Sequence, residues 1–249
     1  MIAQSTTSDI EAQLALAAEV QRGLLPKPYC CIAGWQAAFS YEPAGHISGD
    51  YLDLIPDGDK AFYFILGDVS GKGIAASLLM SHLHATVRGL LASSLAIEEV
   101  VRETSRLFCH TSLPAQFATL VLGHASSAGD VRLVNAGHTP VLLAGKGGAS
   151  HLDSTGVPLG LFCANEFEAT QFHVGGGDVL LLYSDGVSET EDAEGAEYGV
   201  RQIEISLRKH ATAGPQEVIM AINNELRLYA AHPALADDRS MLALRYLGR

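Results

Sequence analysis

No stretch of this chain approaches the ~20 consecutive apolar residues that a membrane-spanning helix needs, although 48% of its 249 residues are hydrophobic and its mean hydropathy is +0.18. Positive charge is scarce. Against 28 Asp and Glu there are 16 Lys and Arg, a formal charge of −12. That balance excludes nucleic acid or an anionic membrane as the expected partner and suits a protein that gathers divalent cations. Cysteine is sparse as well. Cys30, Cys31, Cys109 and Cys163 show no Cys-x-x-Cys spacing, and adjacent cysteines do not readily bridge, so all four are expected as reduced thiols of a cytoplasmic protein. The amino terminus lacks the basic-then-apolar layout of a secretory leader. No shift in composition marks a linker between two folded units, and the length suffices for a sizeable core.

A phosphate loop is also missing. Gly67-Asp68-Val69-Ser70-Gly71-Lys72-Gly73 has a Gly-Lys pair, but only three residues separate Gly67 from Gly71 and Gly73 stands where a magnesium-binding hydroxyl is needed. What is present is a carboxylate, Asp68, at the mouth of an apolar run from Ala61 to Leu66 that reads as a strand buried on both faces. Stripping water from an unpaired charge costs several kcal/mol, so Asp68 is expected to meet a lysine, an arginine or a metal ion.

Taken in order, residues 8–25 read as a helix with inward positions Ile10, Leu14, Ala17, Val20 or Gln21, and Leu24, stopped by Pro26 and Pro28. Residues 34–43 read as a strand. In the next strand Asp50 and Asp53 lie three residues apart and so point to opposite faces. Asp50, beside Ser48 and Gly49, is the one expected to face a site, and Asp53 is assigned to local structure. After the turn 56–59 and the Asp68 strand come helices over 74–93 and 96–111. His82 and His84 do not share a helix face, which argues against a zinc pair. Strands follow over 116–123, 131–135, 140–144 and 167–174, at spacings that suit antiparallel meanders. His138, in the corner after Asn135, either approaches a substrate or satisfies backbone groups. The strand 179–183 ends in Ser184-Asp185-Gly186, repeating the logic of the Asp68 strand. Helices over 199–211 and 215–231 precede Asp237, Asp238 and a last strand, 241–247.

Asp50, Asp68, Asp185 and one of Asp237 and Asp238 thus stand at strand ends, with no histidine or cysteine set beside them. An all-oxygen set favours magnesium or manganese over zinc. Several clustered carboxylates repel one another unless cations sit between them, and two metals roughly 3.5–4 Å apart equip a site for in-line attack of water on a phosphate ester.

The segments Ser48-Gly49-Asp50-Tyr51-Leu52-Asp53, Gly67 to Gly73, Phe117-Ala118-Thr119, Asn135-Ala136-Gly137-His138, Gly156-Val157-Pro158-Leu159-Gly160, Ser184 to Glu189 and Asp237-Asp238-Arg239-Ser240-Met241 resemble, in the same order, the motifs of metal-dependent PPM-class protein serine/threonine phosphatases. The similarity is to the bacterial SpoIIE/RsbU branch and runs from about Ala17 to Leu247. It implies an α+β fold, an α-β-β-α sandwich of two antiparallel sheets flanked by helices, formed by residues 26–249, with residues 1–25 as a linker or regulatory helix. It further implies two Mn²⁺ or Mg²⁺ ions held by Asp50, Asp68, Asp185 and Asp237, with Asp68 bridging both and Val69 giving its backbone carbonyl. The motif favours Asp237 over Asp238, leaving Asp238 for a salt bridge or cap. Ser70 stands where eukaryotic members carry a histidine, which leaves the leaving-group proton to a water, to His46 or to His138. Lys72 either steers phosphate or caps its own loop.

The implied substrate is phosphoserine or phosphothreonine on a regulatory protein, typically a STAS-type anti-sigma-factor antagonist, under an upstream sensor or activator. The helix before Pro26 either packs on its own domain or regulates it, by pairing two subunits into a homodimer or by carrying a signal. Two rivals stand beside this reading: a non-catalytic or activator-dependent partner-binding module of the same fold, and a phosphatase for small molecules or nucleotides.

Overall fold

The computed structural model describes residues 2–113, 115–145 and 147–248. Met1 and Arg249, the outer ends of the two expected segments, lie outside them. The chain runs α1 (Ile2–Arg22), β1 (Tyr29–Ile32), β2 (Trp35–Glu42), β3 (Asp50–Asp57), β4 (Ala61–Val69), α2 (Ile74–Leu91), α3 (Ile97–Thr111), β5 (Ala118–Ser126), β6 (Asp130–Ala136), β7 (Val141–Gly145), β8 (Gly148–Leu152), β9 (Thr170–His173), β10 (Val179–Tyr183), α4 (Asp185–Ser188), α5 (Gly199–His210), α6 (Pro215–Tyr229) and β11 (Arg239–Tyr246). The strands form two sheets, ordered β1-β2-β11-β10-β7-β8 and β3-β4-β5-β6-β9, and every strand pair is antiparallel. The α+β sandwich expected from the sequence is the fold observed.

Alternation along the strands builds three apolar layers. Leu52, Leu54, Phe62, Phe64 and Leu66 from one sheet meet Trp35, Leu180, Leu182, Leu242 and Leu244 from the other. The opposite parity of β4, Ile65 and Val69, packs under Met80, Leu83, Val87 and Val101 of α2 and α3. Leu181, Met241 and Ala243 pack under Ile203, Leu207, Val218 and Ile222 of α5 and α6. Because β4 and β10 are covered on both faces, they read as unbroken apolar runs. At roughly 1.5–3 kcal/mol per fully buried large side chain, these layers are the main stabilising term. The strands β1 and β8 and the single turn α4 are additions to the expected elements. Both strands are short edge strands, and β8 carries polar Ser150 and His151, so neither has a strong apolar signature.

Asp53 is fully buried and takes a two-pronged contact from Arg88 of α2, Nε to Oδ2 at 2.7 Å and Nη2 to Oδ1 at 2.9 Å. Its Oδ1 also accepts from the Leu54 amide at 2.8 Å. That is the structural role assigned to it by strand parity: it pins α2 to β3.

The cysteine expectation needs correcting. Cys109, near the end of α3, is bonded to Cys163, 54 residues away, with Cα atoms 5.4 Å apart; Cys30 and Cys31 are free. Local spacing holds no trace of this pair, because only tertiary packing brings α3 against the segment after Leu159. Gly160 makes that approach: a Cβ there would lie 2.7 Å from Phe108 Cδ1. A cytoplasmic location therefore loses the support that four reduced thiols would lend it. Among the described residues no helix is long and apolar enough to cross a membrane.

Closing a loop of this length constrains the unfolded chain by about 4 kcal/mol in the chain-entropy description. Thiol titration of the denatured, unreduced protein is expected to find the two free thiols of Cys30 and Cys31 and to find all four only after reduction. Four reactive thiols without reductant would contradict the pairing.

Candidate metal centre

Antiparallel register places Asp50 directly opposite Asp68 on β3 and β4, and Asp68 opposite Thr119 on β5. These three side chains share the parity of Leu52, Leu66 and Val121, so they point between the sheets at one end of the sandwich. The facing sheet ends in hydroxyls there. Ser240 lies opposite Tyr41, and Ser184 donates to the Asp238 carbonyl while its backbone amide donates to Ser240. Asp185 follows at the head of α4.

Asp50 is 1% exposed, and neither carboxylate oxygen has a hydrogen-bond partner. Burial pushes its pKa up to about 7, against the pull of the Ser240 hydroxyl and with the Asp238 charge adding to the rise. Asp68 is pushed up to about 9, first by burial and then by the charges of Asp50, Asp185, Asp237 and Asp238. Asp185 is raised by burial and by Asp237. No lysine or arginine comes within 4 Å of Asp50 or Asp68 among the described residues. Of the three partners considered for Asp68, lysine and arginine are thus excluded, and a cation from solution fits.

The local backbone is shaped to the same end. A Cβ at Gly49 would lie 3.0 Å from the Val69 carbonyl oxygen and 3.7 Å from Asp68 Oδ1, so glycine there leaves the carbonyl and carboxylate open on one side. A Cβ at Gly186 would lie 2.2 Å from the Asp238 carbonyl oxygen and 3.2 Å from Asp237 Cβ. Glycine at that position lets α4 close onto the loop before β11 and brings Asp185 towards Asp237. Among the described residues, no three His, Cys, Asp or Glu side chains form a ready-made cage. The carboxylates converge on one space and remain apart within it, as mutual repulsion requires.

Asp237 and Asp238 divide their work. Asp238 is 8% exposed and accepts from the Ala44 amide at 2.7 Å, the Ser48 hydroxyl at 2.7 Å and the Gly49 amide at 2.8 Å. It ties the segment before β3 to the segment before β11. Asp237 is 39% exposed in its side chain and receives Lys72 Nζ at 3.0 Å, while the same ammonium donates to the Ala236 carbonyl at 2.6 Å. Lys72 thus bridges its own loop to Asp237, a contact that sequence reasoning left open.

The histidine candidates come out differently. His138 is 6% exposed, shares a 2.7 Å hydrogen bond between Nδ1 and the Thr119 hydroxyl, and has a buried Nε2 without a partner. Burial lowers its pKa to about 4, so it is neutral at pH 7. His46 is exposed in the loop before β3. Ser70 accepts from the Phe117 amide at 2.9 Å and holds the loop to β5. Gln21 of α1, one of the two alternatives with Val20 on the helix's inner row, is 5% exposed and meets Ser48 twice, donating to its carbonyl at 2.8 Å and accepting from its amide at 2.9 Å. The helix spacing marks the position as inward, while the partner is set by tertiary packing.

A family model described as stage II sporulation protein E (SpoIIE) matches residues 58–247. The phosphoserine phosphatase RsbU of Bacillus subtilis is 25% identical over 95% of this chain and 71% of that protein. Protein IcfG of Synechocystis is 24% identical over 98% of this chain, which spans 43% of its length. Among solved structures, the SiaA PP2C domain of Pseudomonas aeruginosa superposes with a TM-score of 0.84 at 17% identity, covering 97% of this chain and 98% of that one. The structure of the SpoIIE PP2C phosphatase domain with a regulatory fragment from Bacillus subtilis gives 0.73 at 17% identity, covering 85% and 63%. The sandwich is therefore a PP2C-type fold.

Raised carboxylate pKa values have a sign that can be measured. With chelator present, the folded chain holds protons on Asp50 and Asp68 above the usual 3.8, up to about 7 and about 9. Their contribution to stability is full below pH 4 and is lost as pH rises through those values, by up to about 1.4 kcal/mol per pH unit for each group. Denaturation in chelator is expected to show the wild type weakening from pH 5 to 8, and Asp68→Asn flatter and more stable at pH 8. Identical profiles for the two would contradict this electrostatic reading.

Proposed function

Because the chain belongs to the SpoIIE family, we propose that it is a protein phosphatase domain that hydrolyses phosphoserine or phosphothreonine on a regulatory protein, with two Mn²⁺ or Mg²⁺ ions. The observation that carries this reading is the pair of buried Asp50 and half-buried Asp68, opposite each other in register, with no lysine or arginine within 4 Å of either among the described residues. Asp50, Asp68, the Val69 carbonyl, Asp185 and Asp237 would hold the ions, all oxygen donors of the kind hard cations take. When bound, such ions lower the pKa of water and neutralise charge on the phosphoryl oxygens.

The chain's own residues do the rest by placement. Asp238 and Ser48 fix the backbone on which Asp50 and Gly49 stand. Lys72 holds Asp237 at the site's edge and brings the positive charge that a dianionic phosphate requires there. His138 is neutral and walled in, and the Ser70 oxygen accepts from the Phe117 amide. An uncharged, enclosed imidazole is a poor acid at neutral pH, which leaves the leaving-group proton to solvent or to the exposed His46. A cleft of about 480 Å³ begins at Lys72 and Asp237 and continues past Glu189 and His232. It gives a protein segment beside the phosphorylated residue somewhere to lie.

The substrate this reading favours is a phosphorylated STAS-type anti-sigma-factor antagonist, with α1 as the input from a sensor, an activator or a second subunit. α1 leaves Ile10, Leu16 and Val20 exposed while Gln21 grips Ser48, two residues from Asp50.

Hydrolysis of an aryl phosphate with manganese, magnesium or chelator tests the central assignment. Activity should need metal and fall at least about a hundredfold in Asp68→Asn, the scale expected when a main electrostatic element of a site is removed. Metal-independent turnover, or an Asp68→Asn variant as active as wild type, would overturn it. The same assay with light scattering on a chain beginning at Pro26 tests the helix: unchanged mass and activity would remove its regulatory role.

A further inference from the structure

At the other end of β10 from Asp185 a second cleft of about 440 Å³ opens between the β7–β8 hairpin, the turn before β10 and the end of α5. Its polar lining is Arg245, Arg208, Asp178 and Thr212. Arg245 closes the helix-facing row of β11 that begins with Met241 and Ala243. Its Nε is buried with no acceptor, and among the described residues no carboxylate lies within 4 Å of it. A Cβ at Gly214 would lie 2.8 Å from Glu217 Oε2 and 3.9 Å from Arg245 Nη1, and the two side chains stay more than 4 Å apart. Arg208 has only a 3.7 Å contact with Glu204, its side chain being 58% exposed, an arrangement that neutralises it little. Two guanidiniums thus line one cleft of a chain carrying −12, one with no carboxylate within 4 Å among the described residues and one held only by a 3.7 Å contact, which leaves both open to an anion.

The walls admit a close approach. Gly148 and Gly177 have φ of +114° and +93°, and a Cβ at either would meet no atom within 4 Å. Their left-handed backbone favours glycine at both positions. Beside the guanidiniums stands one acceptor, Asp178, whose Oδ2 takes the Gly175 amide at 3.1 Å.

We propose that this cleft binds a small phosphate ester of a polyhydroxy compound, its phosphate on Arg245 and Arg208 and a hydroxyl on Asp178. Guanidinium matches phosphate oxygens in pairs, a carboxylate takes hydroxyl donors, and the volume is that of a small-ligand site. The site lies apart from the carboxylate centre and does not depend on the phosphatase reading.

The test is a titration of the full chain in chelator, followed by amide NMR at Gly148 and Gly177, with inorganic phosphate and ribose 5-phosphate as probes. Both should give saturable shifts there, ribose 5-phosphate binding more tightly. Arg208→Gln, an exposed change that leaves folding alone, and Arg245→Gln should each weaken both probes at least tenfold. Asp178→Asn should weaken ribose 5-phosphate and spare inorganic phosphate. Absence of shifts at these glycines, or shifts that persist in both arginine variants, would overturn the assignment.

Discussion

The structure depends on a confrontation of like charges. β3 and β4 pair in a register that sets Asp50 against Asp68, inside the layer that elsewhere holds Leu52, Phe64 and Leu66. Nothing in the apolar packing rewards two carboxylates at that place. Desolvation and mutual repulsion both oppose their ionisation, and among the described residues no lysine or arginine comes within 4 Å to relieve them. Such an arrangement is sustained by its surroundings: nine-residue β4 is locked between β3 and β5 and covered on both faces. The rigid sandwich fixes the positions, and in the function proposed above the pair would be met by a divalent ion.

Around that pair, the polar contacts form a frame with distinct duties. Asp238 joins the segments before β3 and before β11 through three hydrogen bonds. Gln21 reaches the same Ser48 from α1. One serine therefore links the amino-terminal helix, the closing loop and the backbone of Asp50. Asp237 and Lys72 sit outside the frame, more exposed and joined by an ion pair.

Much of this was legible in the sequence where a single physical rule governs. Strand parity alone separated Asp50 from Asp53, and the structure gives Asp53 to Arg88. Continuous apolar runs marked β4 and β10, because strands covered on both faces need them. The order of the motifs gave the sandwich. Other features are settled by distance in space and leave no local mark: the Cys109–Cys163 bond, the Gln21–Ser48 contacts, and the turning of Lys72 onto Asp237. The choice between Asp237 and Asp238 was favoured by the closing motif, and the structure encloses Asp238 in three hydrogen bonds while the Asp237 side chain stays exposed beside Lys72.

The most direct measurement is anomalous diffraction from crystals of the full chain grown with Mn²⁺. The account predicts metal density in the space bounded by Asp50, Asp68, Asp185 and Asp237, against the Val69 carbonyl, with Lys72 displaced from Asp237 or sharing it. Density confined to other sites, with Asp50 and Asp68 left unligated at a manganese concentration that supports activity, would contradict the claim that this facing pair exists to hold metal.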